Sequence, residues 1–146
     1  MAGLPLTTLP ELPLFAFPPV EANDEAAVRA LWVEMTLRME AGLESPWPDV
    51  TCVGFHERGG ATPHYSLGIP AAGALPDGMV ETSVPGGRFA QYSVGGSYAG
   101  VPAAFQMLSR LCAQGGQVES GLRLEIYRPV DGEGKRVTDV YLGVAE

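Results

Sequence analysis

Positive charge is scarce in this chain: 9 Lys and Arg stand against 17 Asp and Glu, a formal net charge of −8 over 146 residues. Binding a nucleic acid needs a basic footprint that displaces phosphate counterions, so the charge argues against direct DNA or RNA binding. An acidic surface attracts cations instead. Cysteine is also scarce. Cys52 and Cys112 cannot build a disulfide framework and no C-x-x-C is present for zinc, so both read as small buried hydrophobes in a reducing, cytoplasmic compartment. Long apolar runs are missing, and nothing approaches the roughly 18 residues of a membrane span. The most apolar N-terminal stretch, Leu12 to Val20, is broken by Pro13, Pro18 and Pro19. No basic residue precedes Arg29, so a secretory signal would lack its positive region.

Catalytic signatures are missing as well: there is no G-x-S-x-G, no H-E-x-x-H, no P-loop and no G-x-G-x-x-G. The two histidines, His56 and His64, cannot complete a metal site without carboxylates, so neither a metal nor another cofactor is expected.

What the chain does have is 46% apolar residues, enough for one packed domain over residues 1–146, with 19 Gly and 13 Pro to turn between short elements. Two segments carry a helical stripe: Val28, Leu31, Trp32, Met35 and Met39, then Val101, Ala104, Phe105, Leu108, Leu111 and Cys112. Asn23 is placed to cap the first helix and Gly42 to end it. Pro102 fits the first turn of the second, and Gly115-Gly116 stops it. Strand-like runs cover Leu14–Val20, Val50–His56, His64–Ile69, Met79–Val94 with a break at Pro85-Gly86, Leu122–Arg128 and Val137–Val144. The order is strand, helix, strand, strand, and then the same again. Leu67-Gly68-Ile69 in the first half echoes Leu142-Gly143-Val144 in the second, and Cys52 to His56 occupies the place of Arg123 to Tyr127. The pattern predicts an α+β fold: duplicated β-α-β-β units (about 12–73 and 79–145) related by a pseudo-twofold axis, with helices on one face of a shared antiparallel sheet.

Alternation along the last two strands predicts which side chains oppose the helices. Leu122, Leu124, Ile126, Val140, Leu142 and Val144 form the apolar, helix-facing set. Arg123, Glu125, Tyr127, Asp139 and Tyr141 take the other face, joined from the first half by Gly54, His56, His64 and Ser66. Two readings of that face stand side by side. It is either a solvated sheet face with ordinary surface pairs, or a pocket in which a carboxylate ringed by aromatics holds an organic cation.

Leu124-Glu125-Ile126-Tyr127, followed after a hairpin by Thr138-Asp139-Val140-Tyr141-Leu142-Gly143-Val144, resembles the C-terminal signature of the GyrI-like effector-binding family. Val84-Pro85-Gly86-Gly87-Arg88-Phe89-Ala90 resembles that family's P-x-G-x-[YF]-A strand opening, and Leu31-Trp32 its first helix. The resemblance runs from about Leu14 to Val144. It departs from the family in the second helix, where Phe105 and Met107 stand in the region that usually carries a Trp. It implies a central cleft with a floor glutamate, Glu125, binding amphipathic and often cationic drugs. Trp32, Tyr127 and Tyr141 are the implied aromatic neighbours, and Gly54, His56 and Tyr92 complete the expected ligand-binding set. As a stand-alone member, the chain would sense or sequester such molecules. Two alternatives follow from the same resemblance: hydrolysis of cyclopropane-bearing xenobiotics using Glu125, or interaction with a protein such as gyrase or a separate regulator.

Overall fold

The computed structural model describes residues 4–59 and 62–146. The first part of the chain runs β1 (Leu6–Leu9), β2 (Leu12–Ala16), β3 (Val20–Glu21), α1 (Glu25–Glu40), β4 (Cys52–Gly59) and β5 (Thr62–Pro70). The second runs β6 (Val80–Val84), β7 (Gly87–Gly95), a 3-10 turn (Tyr98–Gly100), α2 (Val101–Gln114), β8 (Glu119–Tyr127) and β9 (Val137–Val144).

All the strands form one antiparallel sheet in the order β1-β7-β9-β8-β4-β5-β2-β6, with β3 beside β5. The order reads alike from either side of the central β8–β4 pair, which is the repeat anticipated from the sequence. The strand that opens each half is broken by proline, which has no N–H to give the ladder. Pro10 separates β1 from β2, and Pro85 separates β6 from β7. Both breaks connect opposite ends of the sheet through only a few residues, and the sheet curls accordingly.

The repeated glycines have a packing reason. A Cβ on Gly68 would run into the Phe15 carbonyl and Ala16; one on Gly143 would meet Ser120 and lie 3.0 Å from the Leu122 Cβ. Each helix begins in its own way. Asp24, one residue beyond Asn23, caps α1 by accepting a 3.0 Å bond from the Ala27 N–H, whereas α2 starts at Gly100 with Pro102 in its first turn.

Both helices lie on one face. α1 packs principally over β5 and β3, and α2 over β9 and β7, so the central β4 and β8 run between them. Phe17, Met35, Tyr65, Leu67 and Ile69 form the core under α1; Ala90, Phe105, Leu108, Val140 and Leu142 form the core under α2. A third core occupies the helix-free face, where Leu14, Val53, Phe55, Val84 and Leu124 pack together with Ile126 and Tyr141.

That third core corrects the face assignment of β8. Leu124 and Ile126 belong to the helix-free side, and Glu125 and Tyr127 point toward the helices. For β9 the expected set is right, since Val140, Leu142 and Val144 do meet α2. Glu125 pairs with Val140 and Leu124 with Tyr141, so Tyr141 and Asp139 lie on the face opposite Glu125. Alternation marks the two faces of a strand but not which face the helices cover, and here both faces are packed. In β4 the same inversion puts Gly54 and His56 on the helix side, whereas His64 and Ser66 of β5 lie opposite the helices as expected, with Tyr65 and Leu67 under α1.

Candidate functional site

Glu125 stands in the middle of the sheet, opposite Gly54 on β4 and Val140 on β9, in the lane between the two helices. It is 7% exposed. The Tyr127 hydroxyl donates to Oε1, and His56 Nε2 lies 3.4 Å from Oε2. No lysine or arginine pairs with it among the described residues. Arg123 shares its face but turns away, with its guanidinium 5.2 Å from the Phe105 ring centroid and 3.9 Å from Glu119. A buried carboxylate with one hydroxyl donor and one distant imidazole is poorly compensated for its lost hydration.

Aromatic rings surround it. Trp32 on α1, Tyr127 on β8 and Tyr98 in the 3-10 turn touch one another. Tyr127 meets the Trp32 and Tyr98 rings edge-on, at 4.9 and 5.2 Å between centroids. Trp32 stacks with Tyr98 at 6.5 Å. Tyr98 is half-exposed and carries the Arg136 guanidinium 5.6 Å from its ring centroid, so it forms the outer layer of the cluster. Tyr65 from β5 lies beneath. Its ring reaches across Gly54, where a Cβ would stand 2.5 Å from the hydroxyl, and it packs on His56 at 4.8 Å. That hydroxyl is buried with no hydrogen-bond partner among the described residues.

The electrostatics follow from burial around one anion. Burial and then the Glu125 charge push the Cys52 thiol up to about 12. Tyr127 is raised for the same two reasons and further held protonated by its hydrogen bond to Glu125. Tyr65 is also raised, by burial, Glu125 and Cys52 in turn. Each phenol therefore stays a neutral donor beside the Glu125 carboxyl group.

Of the residues expected at the site, Glu125, Tyr127, Trp32, Gly54 and His56 come together. Tyr92 shares the face but stands two strands away, paired with Val140 and half-exposed. Tyr141 lies behind the sheet. His56 and His64 take opposite faces, and no group of three or more His, Cys, Asp or Glu among the described residues is placed to hold a metal ion. Sequence reasoning missed Tyr65 and Tyr98. Tyr65 was legible from its alternation with His64 and Ser66 once the face was known. Tyr98 sits just after a Gly-Gly turn and gave no periodic signal.

No protein-family model and no curated protein matches the chain by sequence. Its shape is matched closely. SAV2435 bound to tetraphenylphosphonium superposes with a TM-score of 0.74 at 14% identity, covering 96% of this chain and 92% of that one. A putative transcription regulation protein from Staphylococcus aureus MU50 gives 0.73 at 14% identity over 97% of each chain. The C-terminal domain of EcmrR gives 0.67 at 13% identity over 97% of this chain and 96% of that domain. The molecule is therefore an α+β domain with a buried carboxylate between two helices. Its fold is that of the GyrI-like effector-binding domains.

Proposed function

We propose that the protein binds amphipathic organic cations in the lane between α1 and α2, as a sensor or sequestering module for such molecules. The observation that carries this reading is Glu125: an anion buried to 7% exposure whose neighbours are phenols and an imidazole rather than a lysine or arginine. A bound organic cation supplies the missing charge, and its apolar body lies against aromatic ring faces. Tyr98 and Trp32 are the groups that yield to admit it, because Tyr98 is half-exposed on a three-residue turn. SAV2435, of the same fold, is bound to tetraphenylphosphonium, a cation of this class.

The test is calorimetric titration with tetraphenylphosphonium. Glu125→Gln keeps the shape and removes the charge, and should weaken binding by roughly tenfold or more. Equal affinity in the two proteins overturns the anchor role.

A second reading rests on Tyr65, whose hydroxyl is buried without a partner beside the carboxylate. In a hydrolase of strained electrophiles, Glu125 takes a proton from water as the water oxygen bonds to the ring carbon. The strained C–C bond breaks, Tyr65 protonates the carbon or conjugated oxygen that receives its electron pair, and the proton held by Glu125 returns to Tyr65 through solvent, restoring both groups. Incubation with a cyclopropane-bearing alkylator, followed by mass spectrometry, separates the readings. Repeated turnover lost in Tyr65→Phe favours the hydrolase, and stoichiometric capture without ring-opened product favours the binder.

A further inference from the structure

The helix-free face holds a cavity that the carboxylate site does not use. Its volume is about 280 Å³, with Phe89, Leu124 and Ile126 on the floor, the Leu9–Pro13 segment as one wall and Trp47 at the rim. Leu124 and Ile126 flank Glu125 on the same strand, so the cavity lies directly behind the site between the helices.

Three features define what it would take. The volume falls at the lower edge of the roughly 300–1,000 Å³ of small-molecule sites, too small for a partner's helix. Pro10, Pro13 and Pro85 line it and have no N–H, so an extended peptide would find few main-chain donors along this rim. Its one ionisable lining residue is Glu11, which is exposed to solvent; it repels anions but gives no desolvated charge to hold a cation.

Trp47 supplies the positive signal. It is 43% exposed, yet its loop is braced. The Trp47 N–H donates to Ser45 Oγ at 3.2 Å, and its carbonyl accepts from the Val50 N–H at 3.2 Å. A large, partly exposed apolar ring on a braced turn beside an apolar hollow is surface that an aromatic guest would cover.

We propose that this cavity is a second small-molecule site, taking an uncharged, flat aromatic compound against Trp47 with Leu124 and Ile126 beneath it. The site is independent of Glu125 and accepts the chemistry that the cleft between the helices does not favour.

The neutral dye N-phenyl-1-naphthylamine tests this on the full chain. Its fluorescence should rise on binding, and Trp47→Ala should weaken that binding by roughly tenfold, the effect of truncating a tryptophan anchor. Trp47 is on an exposed loop, so the variant's circular-dichroism melt should match that of the wild type. Excess tetraphenylphosphonium should leave the dye in place, and Glu125→Gln should bind it as the wild type does. Absence of dye binding, unchanged affinity in a folded Trp47→Ala, or displacement of the dye by tetraphenylphosphonium would each overturn the second site. None of these outcomes bears on whether the cation itself binds at Glu125.

Discussion

Glu125 and Asp139 are buried alike, at 7% and 6% exposure, on neighbouring strands of the same sheet, yet they are treated in opposite ways. Asp139, on the helix-free face, receives Arg128 in a two-pronged pair at 2.7 and 2.8 Å and the Ser93 hydroxyl at 2.6 Å. Every lone pair that matters is used, and the guanidinium cancels the charge. Glu125, facing the helices, has a phenol on one oxygen and an imidazole at 3.4 Å from the other. A buried anion matched by its own cation belongs to the framework. One left without such a match is the observation on which the proposed cation site rests.

That contrast can be attacked from several sides. The largest effect is expected where the helix-free face is structural. Leu124 is 1% exposed in its core, and Leu124→Ala should cost about 2–5 kcal/mol in urea unfolding. A loss below about 1 kcal/mol would mean that this face is not a core.

Asp139→Asn comes next. It leaves Arg128 without its counter-charge and should cost about 1–3 kcal/mol, tempered by the half-exposed guanidinium. High salt should shrink that difference only partly, since Asp139 itself is buried.

A third test uses pH. The Cys52 thiol, next to Glu125, is raised from its ordinary value near 9 to about 12 in the folded chain. The unfolded thiol therefore loses its proton first, and the stabilisation is complete below about pH 8 and declines as pH rises toward 12. Unfolding free energy should fall by about 1 kcal/mol between pH 8 and 9.5 and more steeply beyond, where Tyr65 and Tyr127 add the same sign. In Cys52→Ser that early decline should flatten to the share of Cys112, whose thiol burial also raises.

The smallest effect is the most discriminating. Glu125→Gln should leave stability unchanged or raise it by up to about 1 kcal/mol, because it removes an ill-compensated buried charge. If Glu125→Gln destabilises as much as Asp139→Asn does, the two carboxylates are equivalent and the contrast fails.

Much of this was legible beforehand, for identifiable reasons. The Val137–Val144 strand and the break at Pro85-Gly86 were readable because alternation and proline are local signals. The opposition of Gly54 to Glu125 followed from aligning the two halves. The four-residue β1 escaped notice because nothing so short carries a period. The side on which Glu125 lies was misread because β8 is apolar toward one core and aromatic toward another. Its sequence distinguishes odd from even positions without saying which set meets a helix. Tyr98 could not be assigned at all, since it reaches the site only through the turn that leads into α2.

The proline breaks that divide the opening strand of each half have one more consequence. They leave the sheet ending in β1 and β6, strands of four and five residues. Long, straight, unpaired borders are where one molecule's ladder extends into another's, and a protein this rich in strands is exposed to that fate. Here each border is curtailed before it can serve as a template: Pro10 follows β1 and Pro85 follows β6. Replacing either proline with a β-branched residue would lengthen the free border, and the first symptom would be fibrous self-association in concentrated samples rather than any change around the buried carboxylate.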